Sequence, residues 1–400
     1  MICLYWFCIN CGLSSQIHFY LRFITLLREG GNLKLLLHIA ALKTGGAERQ
    51  LTYLAKGLAG KGHKVHVVTL YQGGKFWDEL AKDGCVILHS LERRSRWDFQ
   101  VIYKLWRYCR MHEIEAMLAL LPVSSVIAAI PSILCRIPLI MGIRASNMNY
   151  PLGSRVYLKA ERILGNRFAA RFVANSHAGE AYHRQLGYAE NKLLVIANGL
   201  QFPDRLFTKP LTNNKPVKIG FVGRLDPMKG IPVLLEAMVL VLKEIQVELV
   251  IYGEGDPAYK ARLQHLAAGL GLAGAVSFSG WAEDVWSVLD SMDVYVSSSS
   301  YGEGMSNTLM EAMVSGRVII ATDVGDARKM LSDDGQVAGF IVSPDDPEAL
   351  AQVVVSALQN TQLCISRAER AKQIAQKRFS CTVMVDQYER VFHELVSASN

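Results

Sequence analysis

Val294-Tyr-Val-Ser-Ser-Ser-Ser-Tyr-Gly-Glu303-Gly-Met-Ser-Asn-Thr-Leu-Met-Glu311-Ala-Met-Val-Ser-Gly316 is the stretch from which the fold is read. Val294–Val296 reads as an apolar strand, and Ser297–Ser300 leads out of it. Gly302 and Gly304 let the backbone pass close to a ligand. Ser306 is placed to cap a helix carrying Leu309, Ala312 and Met313 on one face and stopping near Gly316. Glu303 therefore sits in a loop above a helix N-terminus, and Glu311 lies more than a turn inside the helix. Free backbone N–H groups point between them, which suits a phosphate and its attached sugar.

Outward from this stretch the chain alternates short apolar runs with helical stretches. Before it come strands at 34–40, 65–70, 85–89, 116–121, 139–143, 171–174 and 193–196, with helices at 47–59, 99–111, 156–164 and 179–186. The run 116–143 is broken by Pro122, Pro131 and Pro138, so it reads as strand, helix, strand and not as a membrane span. The alternation restarts with strands at 217–222, 247–252, 275–279, 294–297, 318–321 and 340–342. Helices are expected at 232–243, 257–269, 347–359, 367–377 and 383–395. Such alternation implies an α/β fold of two doubly wound Rossmann-like domains facing across a cleft, with ligands at the carboxyl ends of the strands.

The expected organisation is an apolar extension at 1–31, a first domain at 32–205 and a linker at 206–216. A second domain at 217–378 and a C-terminal helix at 379–400, placed to cross back to the first domain, complete it. The extension, with Arg22 as the sole charge up to Leu27, lacks the basic start and cleavage site of a secretory signal. Polar residues break it, so it reads as a membrane-surface segment or as an upstream stretch outside the natural protein.

The chain carries a formal net charge of +7, but residues 1–210 are net +14 and residues 211–400 net −7. A basic first half attracts anionic lipid head groups, a phosphorylated lipid or nucleic acid; the plainer reading is a solvated surface. No recognised nucleic-acid reading module accompanies the charge, so nucleic acid is not expected as a partner. Arg93, Arg94, Arg96 and Trp97, with Trp106, Arg107, Tyr108 and Arg110, interleave basic and aromatic residues, as a membrane-interface face or a packed helix with a basic outer side would. The eight cysteines show no framework, which suits reduced thiols in a cytoplasm. Cys8-Ile-Asn-Cys11 has no second pair, so no metal or redox site is expected there.

Other strand ends carry chemistry too. Thr44-Gly45-Gly46 offers backbone N–H groups at a helix start, or simply a tight turn. Gly223-Arg224-Leu-Asp-Pro-Met-Lys229-Gly230 releases a planar guanidinium and a mobile ammonium together, a pair suited to a diphosphate. Gly253 opens a loop that lets backbone approach a ligand. Trp281 offers a stacking ring, or is a packed aromatic. Arg144, Asn147, Asn175-Ser176 and Asn198-Gly199 also follow strand ends, where amides and hydroxyls bond sugar hydroxyls or cap turns.

Taken in order, Gly223-Arg224-Leu-Asp226…Lys229-Gly230, Tyr252-Gly-Glu-Gly255, Val276-Ser-Phe-Ser-Gly280 and Glu303…Glu311-Ala-Met313 resemble the retaining glycosyltransferases of family 4, which have the GT-B fold. Gly45-Gly46-Ala-Glu-Arg49, Asn175-Ser176 and Asn198-Gly199 fit the family's first domain. The resemblance implies that Arg224 and Lys229 hold the donor diphosphate and stabilise the leaving nucleotide, that Glu303 orients the donor sugar, and that Glu311 binds the ribose. It implies a donor site completed by Gly46, Gly253, Trp281 and the backbone of Gly304, Met305, Ser306 and Asn307. Gly45, Arg144, Asn147 and Asn198 are implied on the acceptor or sugar side.

It further implies no metal and no cofactor, the nucleotide sugar being a co-substrate. The acceptor would be a glycan or a polyprenyl-phosphate-linked lipid, and the setting the cytoplasm or the inner membrane face. An epimerase on the same fold and a non-catalytic nucleotide-sugar binder are the alternatives. The chain departs from the family where a histidine is common in the Arg144–Asn149 loop, at Arg317 in place of proline, and at Asp326-Ala-Arg328, which lacks a glutamate. Neither of the last two changes is expected to touch the two-glutamate motif.

Overall fold

A computed structural model describes residues 31–95, 97–144, 152–208, 210–211 and 216–399, with residues 152–154 described by their backbone alone. Asn147, Arg96, the Cys8/Cys11 pair, nearly all of the N-terminal extension and most of 209–215 lie outside the described residues.

The first sheet is built from β1 (Lys34–Ile39), β2 (Lys64–Thr69), β3 (Ile87–Ser90), β4 (Ala116–Leu120), β5 (Leu139–Ile143), β6 (Arg171–Ala174) and β7 (Leu193–Val195). All its pairings are parallel, in the order β3-β2-β1-β4-β5-β6-β7. The helices are α1 (Gly46–Gly60), α2 (Lys75–Asp83), α3 (Gln100–His112), α4 (Pro122–Cys135), α5 (Leu152–Phe168) and α6 (His177–Gln185). Strands such as β4 and β5 are apolar and buried at every residue. That is why the sheet is parallel and covered on both faces.

The second sheet contains β8 (Val217–Val222), β9 (Val247–Tyr252), β10 (Val276–Gly280), β11 (Val294–Ser297), β12 (Val318–Thr322) and β15 (Phe340–Val342); β13 (Ser332–Asp333) and β14 (Gln336–Val337) form a separate hairpin. Its order, β10-β9-β8-β11-β12-β15, repeats the logic of the first. Helices α7 (Ile231–Val241), α8 (Pro257–Gly269), α9 (Val285–Asp290), α10 (Asn307–Val314), α11 (Ala327–Leu331), α12 (Pro347–Leu358), α13 (Thr361–Arg378) and α14 (Cys381–Ser399) follow. Helices α2, α9 and α11 and the hairpin are absent from the sequence expectation. The helix α2 buries only Phe76 and Leu80, too few apolar positions to show a period.

Strand order reverses between β1 and β4 and again between β8 and β11, and such switch points open crevices at the carboxyl ends of strands. The loop at Thr44–Gly46, the Gly223–Lys229 turn and the Ser298–Glu303 loop all leave from these points.

The last helix does return to the first domain. Tyr388, Phe392 and Leu395 of α14 join its core beside Leu51, Leu54 and Leu58 of α1. The two chain crossings are bonded together: Leu200 N donates to Phe379 O (2.8 Å) and Cys381 N to Leu200 O (2.9 Å). Arg317 is buried and donates to the carbonyls of Ser315, Met292 and Thr208. Thr208 N and Leu211 N donate to Asp290 and Asp293. The described linker is thus stapled to the second domain. Among the described residues, no helix is long and apolar enough to cross a membrane.

Candidate functional site

Glu303 and Glu311 sit as their spacing requires. Ser306 is the N-cap of α10 and its hydroxyl accepts from Leu309 N. Tyr295 on β11 bonds Thr308 at 2.9 Å and pins the helix start. Glu311, in the second turn, has a side chain only 2% exposed. Burial pushes its carboxyl above the usual range, and a cation from the other domain opposes that shift.

Lys229 ends a single 3-10 turn, Pro227–Lys229, capped by Asp226 through Met228 N (3.1 Å). Its ammonium meets Glu303 Oε2 at 2.5 Å, both side chains 15% exposed. Arg224, from the same strand end, is 61% exposed and lies 3.3 Å from Asp226 Oδ2. One cation is therefore held on the motif carboxylate and the other is directed to solvent over the same strand end.

Gly253 adopts φ 149°, and a Cβ there would lie 1.8 Å from Gly223 O. Gly223 N donates to Tyr252 O and Leu225 N to Glu254 O, so the loops after β8 and β9 are zipped backbone to backbone. Trp281, just beyond β10, is 60% exposed and open to stacking.

The second domain closes directly onto the first. Arg49 of α1 reaches Glu311 Oε1 at 2.7 Å. Asn307 Oδ1 accepts from Asn198 Nδ2 (3.0 Å) and from Gln50 Nε2 (3.5 Å). Asn198 Oδ1 accepts from Arg144 Nη1 (3.0 Å), whose Nη2 donates to Tyr388 OH (2.9 Å). Met305 Sδ accepts from Asn198 N. Gly46 lies against Asn307 Nδ2, with Gly45 just before the start of α1. A Cβ at Gly304 would sit 2.9 Å from Ser176 Oγ, so the Glu303 loop touches the start of α6 through bare backbone. The structure thus brings together Gly46, Lys229, Glu303 to Asn307, Glu311, Arg144 and Asn198.

Asp326 corrects an expectation. It was not to touch the motif, yet Asp326 N donates to Gly304 O (2.9 Å). Its carboxylate accepts from His177 N (2.7 Å) and Ala178 N (2.8 Å), capping α6 from the other domain. A departure at one sequence position becomes a contact because β12 and β11 are neighbours, and their exit loops meet.

Sequence reasoning gave no role to Arg49 or Gln50. One signal was available: Arg49 lies in the first turn of α1, where the helix dipole disfavours a cation, so something beyond the helix holds it there.

Among the described residues, one trio, His63, Glu389 and His393, has ligand atoms close enough for a metal. His63 Nδ1 accepts from Leu33 N, so Nε2 carries the proton and donates to Glu389. That tautomer leaves no lone pair on His63 for an ion. The trio also lies near the turn into β2, at the amino ends of the strands and so at the end of the sheet away from the site.

Residues 44–201 match the family model "Glycosyltransferase Family 4", and residues 216–360 match "Glycosyl transferases group 1". The phosphatidyl-myo-inositol mannosyltransferase of Mycobacterium tuberculosis is 36% identical over 186 residues, covering 45% of this chain and 47% of the relative. The lipopolysaccharide core biosynthesis glycosyltransferase LpsE of Rhizobium meliloti is 30% identical over 167 residues, covering 42% and 47%. These matches span about half the length of the curated relatives. A crystal structure of Anabaena Alr3699/HepE in complex with UDP and glucose superposes with TM-score 0.77 at 25% identity, over 91% of this chain and 100% of that one. Two family models in tandem, each lying on one of the two facing sheets, place this chain in the family 4 glycosyltransferases, with the GT-B fold.

Proposed function

We propose that the chain is a retaining glycosyltransferase that moves a sugar from a nucleotide sugar, UDP-linked, to a glycan or polyprenyl-phosphate-linked acceptor in cell-surface polysaccharide synthesis. The observation that carries this reading is the Lys229–Glu303 pair at 2.5 Å beside the buried Glu311, at the mouth of β8 and β11. Lys229 and Arg224 are the cations available to a diphosphate, and charge grows there as the bond to the sugar breaks. A cation fixed before the reaction needs little reorganisation at that moment. Glu303 both orients Lys229 and offers an acceptor to sugar hydroxyls. Glu311 offers buried carboxylate oxygens to the ribose.

The acceptor side is read from the first domain. Helices α3, α4 and α5 pack side by side. They expose Tyr103, Met111, Leu134, Val156 and Ile163. Arg107, Arg110, Arg155, Lys159 and Arg167 are exposed among them. The one acidic residue of these three helices, Glu161, is buried. Apolar surface ringed by cations fits an anionic membrane carrying a lipid-linked acceptor, at the inner face of a cytoplasmic membrane. The relatives named for lipid and lipopolysaccharide substrates support this direction.

A thermal-shift and hydrolysis screen against UDP-, GDP- and ADP-sugars, with and without added metal, tests the donor. Stabilisation by one nucleotide and slow release of it from one sugar donor, equal with and without metal, is expected. Absence of any shift with every nucleotide overturns the reading.

A further inference from the structure

Glu311 is a carboxylate with almost no exposure to water, and its opposite charge arrives from the other domain. Arg49 Nη1 lies 2.7 Å from Glu311 Oε1, while the Arg49 side chain is itself 25% exposed. Gln50, the next residue of α1, bonds Asn307 one turn before Glu311. The start of α1 therefore grips the start of α10 at two adjacent positions. Resting on the donor reading above, we propose that Arg49 is a positioning residue which keeps Glu311 a charged acceptor for the ribose, so that the ribose hold is complete only with the two domains closed.

The physical argument is one of charge and count. A carboxylate has about four lone-pair directions, and Arg49 meets Glu311 as an ion pair while Oε1 keeps no hydrogen-bond partner among the described residues, so ribose hydroxyls still find acceptors. A neutral carboxyl is a much poorer acceptor. Burial alone drives Glu311 toward the neutral form, and Arg49 is the partner that opposes it. Opening the domains removes Arg49, and the ribose then loses its charged partner.

The two phenols and the thiol around the pair stay neutral near pH 7. Tyr53 of α1 and Tyr295 of β11 have phenols pushed up by burial. Cys381, at the head of α14 and facing Arg49, is pushed up to about 12. Glu303 is held by Lys229. Glu311, already raised by burial, is then the group that loses the one partner opposing that rise once Arg49 is gone.

The test is calorimetric titration of UDP into the full chain, from pH 6 to 9, for the parent, Arg49→Met, Arg49→Gln and Arg49→Lys. The parent is expected to bind with a flat profile. Arg49→Met should bind about tenfold more weakly at pH 7, within the usual range of a coupling between sites. Its affinity should recover as pH rises and deprotonates Glu311. Arg49→Lys should keep most of the affinity and the flat profile, and Arg49→Gln supplies a second neutral variant of closer shape. A neutral variant with the parent's affinity and profile overturns the proposal, and tighter binding makes Arg49 a competitor, which also overturns it. If the parent binds UDP and the variants do not differ, only this inference falls; if the parent binds none, the UDP reading falls with it.

Discussion

At the scale of single residues, two carboxylates on one motif are given different environments. Glu303 is partly open and tied to an ammonium; Glu311 is buried and tied to a guanidinium across the cleft. Their expected losses differ accordingly. Lys229→Ala should lower kcat by about 10²–10³, the scale of losing one preorganised group at a developing charge, with a smaller change in donor KM. Glu311→Ala should weaken nucleotide affinity by about tenfold or more, since a hydrogen bond to a charged group contributes roughly 1.5–3 kcal/mol. Initial rates and nucleotide titrations on folded variants check both; parent-like values in both would sink the site assignment. Both glutamates were legible because a carboxylate, a helix cap and a helix face leave a local pattern. Arg49 was not, because its partner lies more than 250 positions away and only the closed cleft brings them together.

At the scale of elements, the helix starts are where the domains speak to each other. The N-terminus of α6 has its own cap, Ser176, and a second acceptor, Asp326, from the other domain. Asp326→Ala should leave each domain folded and cost the closed form about 1 kcal/mol, the usual worth of a cap. Small-angle scattering should then show a larger radius of gyration than the parent, and an unchanged radius would remove Asp326 from the closure. Arg317 acts differently, as a buried clamp on carbonyls of the β11 approach and the linker. Arg317→Ala strands those carbonyls and should lower stability by about 3–5 kcal/mol in chemical denaturation, while nucleotide affinity stays close to the parent's.

For the whole molecule, buried titratable groups set an acid limit. His38 and His66 are lowered by burial to about 4 from 6.5, and His89, His183 and His393 move the same way. The unfolded chain binds protons on His38 and His66 between pH 6.5 and 4 that the folded chain does not, and the other three act in the same sense, so stability falls as pH drops through that window. Burial raises Glu161 to about 7, and Glu311 also moves up. These acids work in the opposite sense, favouring the fold below the raised values. Five imidazoles outnumber two carboxyls, so unfolding free energy should be greatest near pH 6.5 and decline toward pH 4; melts across pH 4–8 that rise on acidification would contradict this. The basic face of α3, α4 and α5 predicts sedimentation with vesicles rich in anionic lipid. That binding should weaken with salt and fall on changing Arg107, Arg110 and Lys159 together to glutamate. Equal binding to neutral vesicles would remove the face from the acceptor reading.

The positions of β8, β9, β11 and α8 and the clustering of cations in Gly223–Lys229 were legible in the sequence alone, because each rests on contacts within a few residues. The folding of Asp326 onto α6, the burial of Arg317 and the meeting of Arg49 with Glu311 were decided only in three dimensions. Those pairings depend on which loops two separate sheets present to each other, and on the free energy of closing charges out of water. Neither quantity has a period or a spacing along the chain.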